Sequence, residues 1–188
     1  TKKVCFASRF SRNATVDQNL QQLQWRCDQM ASHARYRKCA TISRAEHNKL
    51  YKLLETCSCP NQGRQHVSGQ GTCIGVTSDL DGVRVGWKTF EDHMQKLAFA
   101  IRRVVDVTAV ENPWLADACC SSIQISKNSE SSKHKDTSNM GPSLIIGVGE
   151  YVGGNFVVNM PNEGIHSENI KSKILCTDGR QEHWSTNI

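Results

Sequence analysis

Residues 121–154 read SSIQISKNSESSKHKDTSNMGPSLIIGVGEYVGG, with His134-Lys135-Asp136 between two runs of strand character, SSIQIS and SLIIGVG. On extended backbone, residues two apart project to the same side, so His134 and Asp136 point out together. That is half of a metal site. A second histidine on a neighbouring strand would complete it, and ILCTDGRQEHWS (174–185) supplies His183 behind the Asp178-Gly179 turn and the Ile174-Leu175 strand. Two imidazoles and one carboxylate hold Fe(II) on one face and leave three coordination positions open. His166, in the polar stretch MPNEGIHSENIKSK (160–173), is the rival for the second imidazole, and the strand and turn before His183 favour His183.

The string HKDTSNMGPSLIIGVGEYVGGNF (134–156) resembles the Fe(II)- and 2-oxoglutarate-dependent oxygenases, most closely the TET/JBP group and its algal relatives. There H-x-D-x-x-N precedes a strand, an acidic-aromatic turn and a Gly-Gly pair, and DGRQEHW (178–184) is similar to that group's distal-histidine turn. The likeness covers about Ala118 to the end. It implies an α+β fold whose double-stranded β-helix (jelly-roll, cupin-like) core is flanked by N-terminal support helices. It also implies Fe(II) held by His134, Asp136 and His183, with 2-oxoglutarate and dioxygen as co-substrates, and it gives Asn128, at the end of SSIQIS, a contact with the co-substrate. The resemblance further implies an Arg or Lys about ten residues past the distal histidine. The sequence stops at Ile188 and starts at Thr1, so the expectation is a fragment without its last core strands.

Around this centre the chain is of one-domain length, 188 residues. About 1–115 reads as a helical and hairpin part, and about 118–188 as an incomplete β-helix core. Thr15 to Gln18 forms a capping box before Leu20, Leu23, Cys27 and Met30 at helical spacing, to about His33. Ser43 to Glu46 opens a second helix with a Leu50, Leu53 and Leu54 stripe. CIGVTSDLDGVRVGWK (73–88) is a hairpin turning at Asp81-Gly82. Thr89 caps a third helix whose core face holds Met94, Leu97, Ala98, Ile101, Val104 and Val105, with His93 off that face. The serine-rich approach to His134 reads as a mobile loop at a substrate edge.

Residues 1–52 hold eleven Lys/Arg against three Asp/Glu, whereas 53–188 hold twelve against fifteen. Such asymmetry suits either a solvated basic face or a polyanion partner, DNA first. Arg35, Tyr36, Arg37 and Lys38 could grip a backbone and stack a base, or simply pack on the helices. With the TET/JBP likeness, this makes the methyl of a 5-methylpyrimidine in DNA the expected target. The same chemistry on a protein side chain or small metabolite, and a catalytically silent binding module, are the alternatives. The nine cysteines form no regular disulfide framework, which suits thiols in a reducing, intracellular compartment, the nucleus if DNA is the substrate. Cys57, Cys59, His66 and Cys73 are a poor match to zinc-knuckle spacing. No apolar run reaches the length of about 18 residues a membrane span needs.

Overall fold

A computed structural model of the chain describes residues 2–4, 21, 25, 28–29, 31, 34, 37–61, 66–79, 82–118, 120–137, 139 and 141–186. The expected first helix, 15–33, lies mostly outside the described residues, as do Arg35 and Tyr36; the described positions between 21 and 34 are helical. Among the described residues, the strands and the two helices described from end to end run in chain order: β1 (Lys2–Val4), β2 (Cys39–Thr41), α1 (Arg44–Glu55), β3 (Gln70–Asp79), β4 (Gly82–Val85), α2 (Asp92–Ala109), β5 (Ser122–Lys127), β6 (Ser143–Ile146), β7 (Phe156–Met160), β8 (Gly164–Glu168), β9 (Lys173–Thr177) and β10 (Glu182–Ser185).

The strands form three antiparallel sheets, in the orders β1-β6-β9-β2, β10-β7-β8 and β4-β3-β5. The first carries apolar residues on both faces, which is why Ser143–Ile146 is buried throughout. Leu144 and Ile146, paired with Cys176 and Ile174, join a core with the two helices. Ile145, paired with Leu175, faces the other way, into a smaller core with Phe156, Val158, Met160 and Ile170. Strand alternation thus divides one apolar run between two cores. The outer core holds a helix face of Leu50 and Leu54 from α1 and another of Met94, Leu97, Ile101, Val104 and Val105 from α2.

N-terminal strands are woven into this scaffold: β1 pairs with β6 and lies beside β5, β2 pairs with β9, and β3 pairs with β5. Helix α1 begins as expected, with the Ser43 hydroxyl accepting from the Glu46 amide at 3.3 Å. The Glu46 carboxylate does not reach back to complete a capping box. It accepts from Lys49 at 2.8 Å and meets Arg103 at 3.5 Å, tying α1 to α2, and these partners hold its carboxyl below the ordinary range. His47, buried on α1, accepts from the Gly149 amide at 3.2 Å and fastens the helix to the loop after β6.

Several expectations are corrected. Leu53 is 40% exposed, off the buried stripe of α1. Helix α2 starts at Asp92 rather than at a Thr89 cap, because Thr89 sits in a 3-10 turn where its hydroxyl accepts from the Gly75 amide at 2.8 Å. The described part of the hairpin pairs Asp79 with Gly82, so Gly82 belongs to β4 rather than to the expected Asp81-Gly82 turn. The polar stretch around His166 contains a strand, β8, because β7 offers it a full edge to pair with. No helix among the described residues is long and apolar enough to cross a membrane.

Candidate metal centre

Where β10 passes the segment after β5, the His134 amide donates to the His183 carbonyl at 3.1 Å, and the His183 amide returns the bond to His134 at 2.9 Å. Residues that exchange both bonds sit directly opposite on an antiparallel ladder. The two imidazoles are therefore adjacent because of backbone pairing, with ring centroids 4.3 Å apart. Two residues on, the Asp136 amide donates to the Gly179 carbonyl at 2.8 Å, which brings the carboxylate to the same side as His134.

One ligand atom from each of His134, Asp136 and His183 lies within 4.8 Å of the other two. Asp136 divides its oxygens between the rings, Oδ1 at 3.7 Å from His134 Nε2 and Oδ2 at 3.9 Å from His183 Nε2. Both rings are oriented in the same way from behind. His134 Nδ1 lies 2.7 Å from the Ser132 carbonyl and His183 Nδ1 2.9 Å from the Gln181 carbonyl. A carbonyl only accepts, so each Nδ1 carries the proton and each Nε2 turns its lone pair to the shared point. These residues fit a divalent transition metal: two neutral nitrogens, one anionic oxygen, and outer contacts that fix both tautomers. Among the described residues no other set of three His, Cys, Asp or Glu donors converges in this way.

The surroundings hold the cluster still. Asp178 closes its turn on Arg180, with the guanidinium donating to both carboxylate oxygens at 2.9 Å. Burial works to raise the Asp178 carboxyl, but the bonds from Arg180 outweigh it and hold the group below its ordinary value. Gly179, in that turn, passes so close that a Cβ would lie 2.7 Å from Asn139 Nδ2 and 3.3 Å from Asp136 Oδ2. His183 is only 2% exposed and packs its ring 5.4 Å from that of Phe156. The serine-rich approach is laced in place: the Ser131 amide donates to the Ser185 hydroxyl at 2.8 Å, and the Ser132 amide to the His66 carbonyl at 3.0 Å.

A small cavity of about 70 Å³ adjoins the two histidines and is lined also by Gln124, Ser126, Ser131, Ile145 and Phe156. Asn128 is not in it. Strand β5 ends at Lys127, and Asn128 turns through left-handed backbone (φ 47°) with its carbonyl against Gly69 and its side chain exposed. The β5 residues that reach the cavity are Gln124 and Ser126, on the face opposite Ile123 and Ile125, so strand parity held the signal. His166 lies on β8 and takes no part in the cluster. Cys57 and Cys59 bring their sulfurs to 3.6 Å, while His66 stacks 5.9 Å from His134 at 11° between ring planes, away from any thiol cluster. In the sequence His66 stands out only as a poor zinc partner for Cys57, Cys59 and Cys73, not as a neighbour of the metal centre. Nothing local distinguishes it, because the stacking is set by the pairing of Val67 with Ser131.

No family model matches the chain, and no curated protein matches it. Among solved structures it is similar to an oxidoreductase of the 2OG-Fe(II) oxygenase family from Burkholderia pseudomallei, with a TM-score of 0.53 over 97% of this chain and 87% of that one. Sequence identity is 14%, so what the two share is the fold.

Proposed function

We propose that this protein is an Fe(II)- and 2-oxo-acid-dependent dioxygenase that oxidises a C–H bond, with His134, Asp136 and His183 as the metal ligands. The observation that carries the reading is the convergence of these three donors, with both Nδ1 protons committed to carbonyls. It is supported by the fold shared with the Burkholderia oxygenase and by the HKD…GG and DGRQEH motifs. In this reading the four-stranded sheet and the β10-β7-β8 sheet are the two halves of a double-stranded β-helix, and the small core between them is its interior.

Iron held on one face by such a triad supplies dioxygen activation driven by oxidation of a 2-oxo acid, chemistry that belongs to the cofactor. The protein's own residues orient and enclose. Hydrogen bonds to the Ser132 and Gln181 carbonyls fix the two imidazoles, and the Gly179 carbonyl fixes the backbone at Asp136. Gln124 and Ser126 present an amide and a hydroxyl in the adjoining cavity, where they can bond a co-substrate's oxygens. Phe156 and Ile145 make its apolar side and keep water from the back of His183.

For the substrate we propose a 5-methylpyrimidine in DNA. This finer reading rests on the TET/JBP resemblance, on the basic N-terminal quarter, and on Lys133, whose ammonium lies 4.6 Å over the Trp184 ring beside the triad. A cation and an aromatic at that edge suit a phosphate and an extruded base. The test is to load the chain with Fe(II), supply 2-oxoglutarate and a methylated duplex, and follow succinate and the base by mass spectrometry across a salt series. Succinate above the metal-free control, an oxidised methyl, and binding that weakens steeply with salt are expected. Absence of succinate would end the oxygenase reading. Succinate with salt-indifferent binding and an intact methyl would end the DNA reading alone.

A further inference from the structure

A second cavity, of about 140 Å³, lies across the small core from the metal centre. Val158 on β7 pairs with His183 on one side and His166 on the other, so His166 stands two strand spacings from the triad, roughly 10 Å. Phe156, Val158 and Leu175 form the cavity's apolar floor. Its polar lining is unusual. Thr177 is 1% exposed, and its hydroxyl, like His166 Nε2, is buried with no hydrogen-bond partner among the described residues. Two such groups in one cavity are costly to the fold unless something accepts their hydrogens.

A cation completes the set. Arg37 lines the same cavity from a turn in left-handed backbone (φ 48°), anchored where the Cys176 amide donates to the Lys38 carbonyl at 2.9 Å. A non-glycine residue rarely keeps that conformation unless its surroundings demand it. Its guanidinium reaches the half-exposed Glu163 only at 3.9 Å, too far for a hydrogen bond. His166 Nε2 also stops short of Glu163, at 3.6 Å. The carboxylate on the cavity wall itself, Glu168, is already taken by Lys173 at 2.6 Å.

We propose that this cavity binds the carboxylate of a small organic acid. Arg37 supplies the counter-charge, the Thr177 hydroxyl and His166 Nε2–H donate to the carboxylate oxygens, and Phe156, Val158 and Leu175 take the hydrocarbon. The ligand's carboxylate replaces Glu163 as the partner of Arg37. A cavity of this size holds a molecule of about six heavy atoms, since a cavity of about 150 Å³ accommodates benzene. The site uses none of the three metal-centre residues, so it stands or falls independently of the oxygenase reading.

Butyrate is the probe, titrated into the metal-free full chain by ligand-observed NMR. Binding is expected to wild type and, unchanged, to Asp136→Ala. Thr177→Val and Arg37→Gln should each weaken it about tenfold, the cost of one hydrogen bond to a charged group. Butylamine, of the same length and opposite charge, should not bind. Arg37 sits in a surface turn, so its substitution tests the site even if Thr177→Val disturbs the strand. Failure of butyrate to bind wild type, equal binding by both cavity variants, or loss of binding in Asp136→Ala would overturn the proposal.

Discussion

Asp136→Ala is expected to abolish Fe(II) binding while leaving the metal-free protein folded. Asp136 is the one anionic donor of the cluster, and its two oxygens stand 3.7 and 3.9 Å from the two imidazole nitrogens. Without it two neutral nitrogens remain, with no negative charge to offset the desolvation of a divalent cation. Changing even an outer-shell partner of a metal ligand costs about 10–100-fold in affinity, so loss of the ligand itself should cost at least about a hundredfold. Thermal melts give the readout. Fe(II) at about 100 times its dissociation constant should stabilise wild type by about 2.7 kcal/mol through mass action, and should leave Asp136→Ala where it was without metal. Equal metal-induced shifts in the two proteins would remove Asp136 from the site.

The second large effect concerns the scaffold. Gly75→Ala is expected to cost roughly 3 kcal/mol, from about 1–2 kcal/mol of backbone strain and about 1–3 kcal/mol of overpacking. Gly75 lies within β3 at φ +96°, opposite Ser122 of β5, and a Cβ there would stand 2.4 Å from the Ser121 carbonyl oxygen and 3.1 Å from the Ser122 Cα. Both obstacles are backbone, so no rotamer change relieves them. The same glycine accepts from the Gly86 amide and donates to the Thr89 hydroxyl, which makes it the knot between β3, β4 and the turn before α2. Gly164→Ala is the control. At φ +81° a Cβ there meets nothing within 4 Å, so only the conformational cost of about 1 kcal/mol applies. A denaturant midpoint that falls no further for Gly75→Ala than for Gly164→Ala would contradict the packing described.

Local pattern carried much of this in the sequence. The two-residue spacing of His134 and Asp136 and the Asp178-Gly179 turn before His183 are short-range features, and the structure brings the three side chains together. Leu144-Ile145-Ile146 was legible as a strand, and the structure buries it on both faces, as its unbroken apolar run requires. Strands β2 and β8 were not legible. One is three residues beside a basic stretch, and the other exposes Ile165 and shows no apolar face of its own. Each is a strand because a partner edge is offered, which single-sequence propensity cannot register. Asn128 illustrates the limit of parity: the strand ends one residue before it, and beyond a left-handed turn the count by twos no longer tells which side a residue takes. Thr89 had a capping residue's chemistry and found a different partner, the Gly75 amide.

The central claim is that His134, Asp136 and His183 share one ferrous ion. X-ray absorption at the iron edge of the anaerobically loaded full chain tests it most directly. A first shell of nitrogen and oxygen donors that includes two imidazoles, one of them missing in His183→Ala, is the result this account predicts. A sulfur donor from thiolates such as Cys57 and Cys59, or a shell that does not change in His183→Ala, would contradict it.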